Sequence, residues 1–207
     1  LEGTVATIWW CGCKHPSASL AHELLHIQLQ LNGYRRIRVG ISNIASPETI
    51  KRLMDCIDNE IQHHKIYPVF ISMGFTPEQF YRDSDAEVEQ FLRQAVGNGF
   101  TSVADASIVF FSLIAPGGTL TDAAKEDIRN QLNTIDGGKY ESALDGILRA
   151  ISDWTQSQSS DAREYIKQVL LAIHPIENLT WYGFASSARP PSGDGVFVDL
   201  EFSVMEP

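Results

Sequence analysis

Apolar residues recur every three or four positions along most of the chain, which is the spacing of amphipathic helices. Ser17 or Ser19 can cap the first helix, and Gly33 follows its last turn. The pattern therefore predicts a helix from about residue 17 to residue 32. The apolar residues of one face of this helix are Leu20, Leu24, Ile27 and Leu31.

The next predicted helix has the strongest boundary signals in the chain. Ser46 is a suitable N-cap and Pro47 suits the first helical turn, while Pro68 is expected to follow the end of the helix. The chain is therefore predicted to be rich in helices. Further helices are predicted within residues 76–99, 102–115, 121–135, 140–154 and 160–173. For residues 102–115, a buried strand is the alternative to a buried helix.

Strand patterns occur near both ends of the sequence. Residues 4–10, "TVATIWW", are mostly β-branched or aromatic, and residues 179–186 and 195–204 have a similar character. Since a lone strand is unstable, the terminal strands are expected to form one small sheet. We predict an α+β fold that is predominantly helical. It forms one domain over residues 1–207, divided into residues 1–75, a helical half at 76–175, and C-terminal strands at 176–207.

Composition narrows the classes of partner. The chain has 207 residues, of which 43% are hydrophobic and 20% charged, and its net charge is −10. Such an acidic surface repels phosphate backbones, so nucleic acid is not an expected partner. No apolar run has the length of a membrane span. Three cysteines are too few for a disulfide framework and the first residues show no leader pattern, which together favour a cytoplasmic location.

The segment "HELLH" carries the clearest chemical signal. His22 and His26 are one helical turn apart, so both imidazoles can reach the same metal ion. Glu23 is rotated about 100° around the helix, beside that ion. This is the arrangement of a zinc peptidase, in which a carboxylate lies beside the metal-bound water. The alternative is a pair of ordinary histidines.

A catalytic zinc usually takes a third protein ligand. A third histidine in the extended form of the motif is absent, and Glu60, in "NEIQHH", is the best remaining candidate. It shares a largely apolar helical face with Leu53 and Ile57, where a lone carboxylate is costly unless it meets a cation. The alternative is a solvated glutamate on a charged helix.

"HELLH" followed by "NEIQHH" resembles the gluzincin branch of zinc metallopeptidases, over roughly residues 4–65. The resemblance implies a zincin-like pair of active-site helices, with Zn²⁺ held by His22, His26 and Glu60. It also implies that Glu23 is the general base and that the substrate is a peptide or protein. An extended substrate would lie along an edge strand. The residues of that strand are Val5, Ala6, Thr7, Ile8 and Trp9.

Other histidines and cysteines have several interpretations. His63, His64 and Tyr67 are candidate donors to the transition state, because histidine and tyrosine suit that role. His63 and His64 can equally be polar residues near a helix C-terminus. The segment "CGCKH" has two interpretations, a second metal site or a loop with small buried thiols. The residues of that site would be Cys11, Cys13 and His15.

The sequence alone leaves three classes of function open. The leading hypothesis is a zinc-dependent metallopeptidase, whose helical half lines the cleft or binds a protein partner. The second is a catalytically silent zincin-fold module that binds protein within a larger assembly. The third is a structural helical adaptor, for which the histidine spacing would be a coincidence.

Overall fold

Helices dominate the fold. A computed structural model describes residues 7–8, 14–34, 39–42, 46–80, 88–100, 103–118, 120–135, 139–177 and 179–183. A 3₁₀ turn, Pro77–Gln79, follows the second helix. The helices are α1 (Pro16–Leu31), α2 (Pro47–Ser72), α3 (Val88–Asn98), α4 (Val103–Ile114), α5 (Asp122–Ile135), α6 (Lys139–Gln156) and α7 (Arg163–Glu177).

The helix α1 begins slightly earlier than predicted. His15 is its N-cap residue and Pro16 occupies the first turn, where a missing backbone N–H costs nothing. Gly33 has φ of 110°, which is the left-handed conformation that commonly ends a helix. The predicted C-terminal stop at this glycine is therefore confirmed.

The helix α2 is longer than the sequence pattern predicts. Its start is confirmed, because the Ser46 side chain accepts a hydrogen bond from the Thr49 backbone N–H at 3.2 Å. The predicted end before Pro68 is wrong, since α2 continues to Ser72. Proline removes one backbone hydrogen bond, but Phe70, two residues further on, is fully buried. Burial of that ring favours continuation of the helix.

The predicted α+β class is also wrong, and a helical class replaces it. The described strands, β1 (Val39–Ser42) and β2 (Leu179–Gly183), form one antiparallel two-stranded ribbon. The sheet predicted from N- and C-terminal strands is not formed in the described residues. Thr7 and Ile8 have no regular secondary structure there. The rest of the segment 4–10 and the segment 195–204 lie outside the described residues.

The physical reason for this difference is the distance between pairing partners along the chain. Ile41 lies opposite Trp181 in the ribbon, and local periodicity contains no information about such a remote partner. The strand β1 has only four residues, "VGIS", and its glycine is a residue type that strands disfavour. The strand β1 was therefore not predicted.

One hydrophobic core joins the helices. The helix α2 packs against α1, α4 and α6, while α6 packs against α7. Trp154 of α6 is fully buried and donates from Nε1 to the Ile61 backbone carbonyl at 2.6 Å. Lys65 lies over the same indole ring, 4.3 Å from its centre. The central helix α2 is thus held from several sides, which fixes its rotation about its own axis.

A helix that spans a membrane must be both long and apolar. None of the helices in the described residues combines the length and the apolar character that a membrane span requires.

Candidate metal centre

Three histidines from two helices meet at the contact between α1 and α2. His22 and His26 come from α1, and His63 comes from α2; one ligand atom of each lies within 4.8 Å of the others. The helix α1 is held against the core by small and apolar residues on a neighbouring stripe. These buried residues are Ala18, Ala21, Leu25 and Leu29.

The imidazole rings are close enough to act on one ion. Nε2 of His22 lies 2.9 Å from Nε2 of His26. The ring centre of His63 is 5.0 Å from that of His22 and 5.2 Å from that of His26. His63 is buried, whereas the two α1 histidines are half-buried. The cluster is therefore partly shielded from solvent on the α2 side and more open on the α1 side.

A chain of buried polar groups supports His26. Its Nδ1 is 3.0 Å from Oε1 of Gln62, and the Gln62 amide nitrogen donates to the Asp58 carboxylate at 3.0 Å and to its backbone carbonyl at 3.2 Å. The Tyr34 hydroxyl donates to the other Asp58 carboxylate oxygen at 2.9 Å. Gln62 and Asp58 are one helical turn apart, a spacing at which such side chains bond. The Tyr34 hydrogen bond thereby links the segment after α1 to α2, next to the histidines.

Glu60 lies beside His63, outside the group of three histidines. Its Oε1 is 3.4 Å from Nδ1 of His63, while the Asn59 amide nitrogen lies 3.3 Å from the same ring atom. Glu60 is buried, and its other oxygen has no hydrogen-bond partner within the described residues. The structure thus does not group Glu60, the third ligand expected from the sequence, with His22 and His26. His63, predicted as a transition-state donor, lies close to both α1 histidines instead.

Aromatic rings cover one side of the cluster. The ring centre of Phe80 lies 4.6 Å from that of His22 and 5.1 Å from that of His63. Phe80 also packs edge-on against Tyr67 and Phe70. This packing holds the imidazoles in place and excludes water from that side of the site.

The other predicted donors have different surroundings. Burial lowers the pKa of His64, which lies outside the three-histidine group. Burial raises the pKa of Tyr67, and the Glu78 carboxylate adds to that effect. Its ring packs edge-on against Phe80, which in turn packs against His22 and His63.

Several predicted residues stand apart from the described site. Val5, Ala6 and Trp9 of the predicted substrate edge lie outside the described residues, as do Cys11 and Cys13 of the alternative metal site. Thr7 and Ile8 are described without strand structure, and His15 is the half-buried N-cap residue of α1. Glu23, the predicted base, is half-buried on α1 next to His22.

No sequence pattern marked the residues that support the histidines. Asp58 and Gln62 fall four positions apart on a helix that was predicted, but such pairs are common on solvated helix surfaces. Tyr34 follows the glycine that ends α1, where nothing in the local pattern marks a hydrogen-bonded hydroxyl. Their burial and the hydrogen bonds that lead from Tyr34 to His26 identify them as part of the site.

The set of donors suits zinc. In a tetrahedral zinc site with Zn–N distances of about 2.0–2.1 Å, ligand nitrogens are roughly 3.3–3.4 Å apart. The separation of 2.9 Å between the α1 imidazoles, and the limit of 4.8 Å for the whole group, lie on either side of that value.

Comparisons with known proteins give no further guide. No family model, curated protein or solved structure matches this chain.

Proposed function

We propose that this protein is a zinc-dependent hydrolase of peptide bonds, with His22, His26 and His63 as the metal ligands. The observation that supports it best is the convergence of the three imidazoles within 4.8 Å. Two of them belong to an H-E-x-x-H segment, so a carboxylate lies next to the cluster in the sequence. The proposal replaces Glu60 by His63 as third ligand and keeps the rest of the predicted site.

Zinc is the metal that this donor set favours. Neutral imidazole suits zinc, copper, iron and nickel, whereas calcium and magnesium prefer oxygen ligands. Catalytic zinc sites commonly use three protein ligands, including sets of three histidines, and leave a fourth position for water. When bound, zinc would supply a coordinated water whose pKa lies near 7.

The remaining roles follow from the positions of the side chains. Glu23 takes a proton from the nucleophilic water, because it is the carboxylate next to His22 on the half-buried side of α1. His63 is held on the α2 side, with the Glu60 carboxylate 3.4 Å from its Nδ1. A carboxylate in that position orients a histidine ligand and increases its basicity.

Metal content tests the ligand set. Zinc per chain is measured in the purified protein after dialysis, in the natural chain and in His22→Ala, His26→Ala and His63→Ala. We expect stoichiometric zinc in the natural chain and its loss in each variant. The matched control is His64→Ala, which removes a neighbouring imidazole from the same helix outside the group and should retain the metal.

The position of Glu60 is tested in the same assay. Because it lies outside the three-histidine group, Glu60→Gln should retain most of the zinc. Loss of zinc in Glu60→Gln together with its retention in His63→Ala would restore Glu60 as the third ligand and contradict the assignment made here.

Turnover separates an enzyme from a binding module. The zinc-loaded protein is incubated with a mixed peptide library, and new termini are detected by mass spectrometry. Glu23→Gln should keep zinc and reduce hydrolysis by about 10²–10⁴-fold, the usual effect of losing a general base. Stoichiometric zinc without any cleavage by the natural chain would favour a catalytically silent module that binds a protein partner.

A further inference from the structure

We infer that Gln62 is a positioning residue that sets the tautomer of His26, so that Nε2 is the atom this histidine offers to a metal. The inference rests on the proposed metal site but concerns residues to which the sequence motif assigns no role. It depends on the direction of each hydrogen bond in the buried chain from Tyr34 to His26.

The orientation of the Gln62 amide is determined by its partners. Both Asp58 atoms that it meets, a carboxylate oxygen at 3.0 Å and a backbone carbonyl at 3.2 Å, are acceptors. An amide nitrogen must therefore face Asp58, because an amide oxygen there would meet two acceptors. The Tyr34 hydroxyl reinforces this arrangement by donating to the second Asp58 carboxylate oxygen. The Gln62 oxygen is left facing His26.

The tautomer of His26 follows from that orientation. An amide oxygen can only accept, so Nδ1 of His26 must carry the hydrogen of the 3.0 Å contact. In a neutral imidazole the other nitrogen then has a free lone pair. That nitrogen, Nε2, is the one that lies 2.9 Å from Nε2 of His22. Without a metal, His22 donates from its Nε2 across this distance. For His22 to offer the same nitrogen to a metal ion, that hydrogen would have to move to Nδ1 of the ring.

Burial makes this arrangement hard to explain by stability alone. Gln62 is 3% exposed and Asp58 is 2% exposed. Buried polar side chains of this kind cost free energy that their hydrogen bonds offset only in part. An apolar residue at position 62 would fill the same space without that cost. A side chain that holds a metal ligand in one tautomer accounts for the polar choice, since such partners affect metal affinity strongly.

Two substitutions separate positioning from packing. Gln62→Met keeps the length of the side chain but removes the acceptor. Gln62→Glu keeps an acceptor for Nδ1–H of His26 and places a second carboxyl against Asp58, which should lower stability. A structural role predicts that zinc affinity follows stability in both variants. A positioning role predicts that zinc affinity follows the tautomer of His26.

The tautomer is read in the metal-free protein by long-range ¹H–¹⁵N NMR of the histidine rings. Zinc affinity is measured by competition with a chelator, and stability by thermal unfolding of the same samples. We expect the Nδ1–H form of His26 in the natural chain and in Gln62→Glu, with zinc affinities within a few-fold of each other. In Gln62→Met we expect a mixture of tautomers and a zinc affinity lower by about 10–100-fold.

Each outcome has a distinct meaning. An Nε2–H form of His26 in the natural chain overturns the inference, even if Gln62→Met does not fold. Zinc binding that is unchanged in a folded Gln62→Met also overturns it. If the natural chain binds no zinc, the proposed function fails, while the NMR comparison of the natural chain with Gln62→Glu still decides whether Gln62 sets the tautomer.

Discussion

Removing the hydroxyl of Tyr34 tests the support of the site without touching any histidine. In Tyr34→Phe the ring stays in place, so its packing at 6.4 Å from the Trp154 ring centre is retained. What is lost is the hydrogen bond from the hydroxyl to the Asp58 carboxylate at 2.9 Å, together with the weaker contact to the Asp58 carbonyl at 3.1 Å. Tyr34 is 2% exposed, so water cannot readily replace the lost donor.

The expected size of the effect follows from these contacts. A hydrogen bond to a charged group contributes about 1.5–3 kcal/mol, and a buried acceptor that loses its donor retains the cost of desolvation. The substitution leaves almost no cavity because only one oxygen is removed. We therefore expect the free energy of unfolding to fall by about 1.5–3 kcal/mol. For a chain of this length that is a decrease in Tm of about 3–12 °C.

Urea-induced unfolding of the metal-free protein measures this change directly. The matched control is Tyr165→Phe, which removes the same atom from a half-buried ring that packs on the same indole at 5.3 Å and should change stability by less than about 0.5 kcal/mol. A double-mutant cycle with Asp58→Asn should give a coupling energy within the range of about 0.5–3 kcal/mol known for contacting residues. An effect of Tyr34→Phe no larger than that of the control would refute the proposed buried chain.

Two further predictions concern backbone and thiol chemistry near the site. Gly117→Ala should lower stability by more than about 1 kcal/mol in thermal unfolding, because Gly117 has φ of 74° and an added Cβ would lie 2.5 Å from the Tyr67 ring. The control is Gly97→Ala in α3, an exposed position with open space around it. Equal stability of the two variants would contradict this reasoning. Burial raises the pKa of the Cys56 thiol, and the Glu60 carboxylate adds to the shift, so alkylation at pH 8 should be much slower than for a free cysteine. Mass spectrometry of a variant whose other two cysteines are serine checks this, and rapid labelling of the folded chain would contradict it.

Local signals predicted the helices well because their causes lie within a few residues. The cap at Ser46 and the glycine stop at position 33 depend on hydrogen bonds and dihedral angles inside one turn. The buried helix predicted over residues 102–115 is confirmed as α4 for the same reason. The ribbon between β1 and β2 depends instead on a partner that is remote in sequence. It could not be predicted from a window of local residues.

The choice between Glu60 and His63 shows a similar limit within the site. The two residues are three positions apart on α2, so both lie on roughly one side of that helix. Which of them meets α1 depends on the rotation of α2 about its axis. That rotation is set by core residues such as Leu53 and Ile57, which are fully buried, and by their packing against other helices. Sequence spacing therefore pointed to this region of α2 but could not show which of the two residues lies beside His22 and His26.

The distribution of buried polar side chains bears on the choice between a metal-binding protein and a structural helical adaptor. Within the described residues, four of the buried polar or charged side chains come from one short segment of α2, and Ser107 of α4 is the fifth. The four are Asp58, Glu60, Gln62 and His63.

A helical adaptor gains nothing from this concentration, because each buried polar group lowers stability unless its bonds fully compensate for the lost water. Proteins commonly accept such a cost where activity needs a preorganised polar site. The segment lies directly under His22 and His26, and its groups bond or adjoin the imidazoles. Coincidental spacing of two histidines on α1 would not explain why α2 carries a matching polar segment. This complementarity between two helices favours a metal-binding function over a structural one.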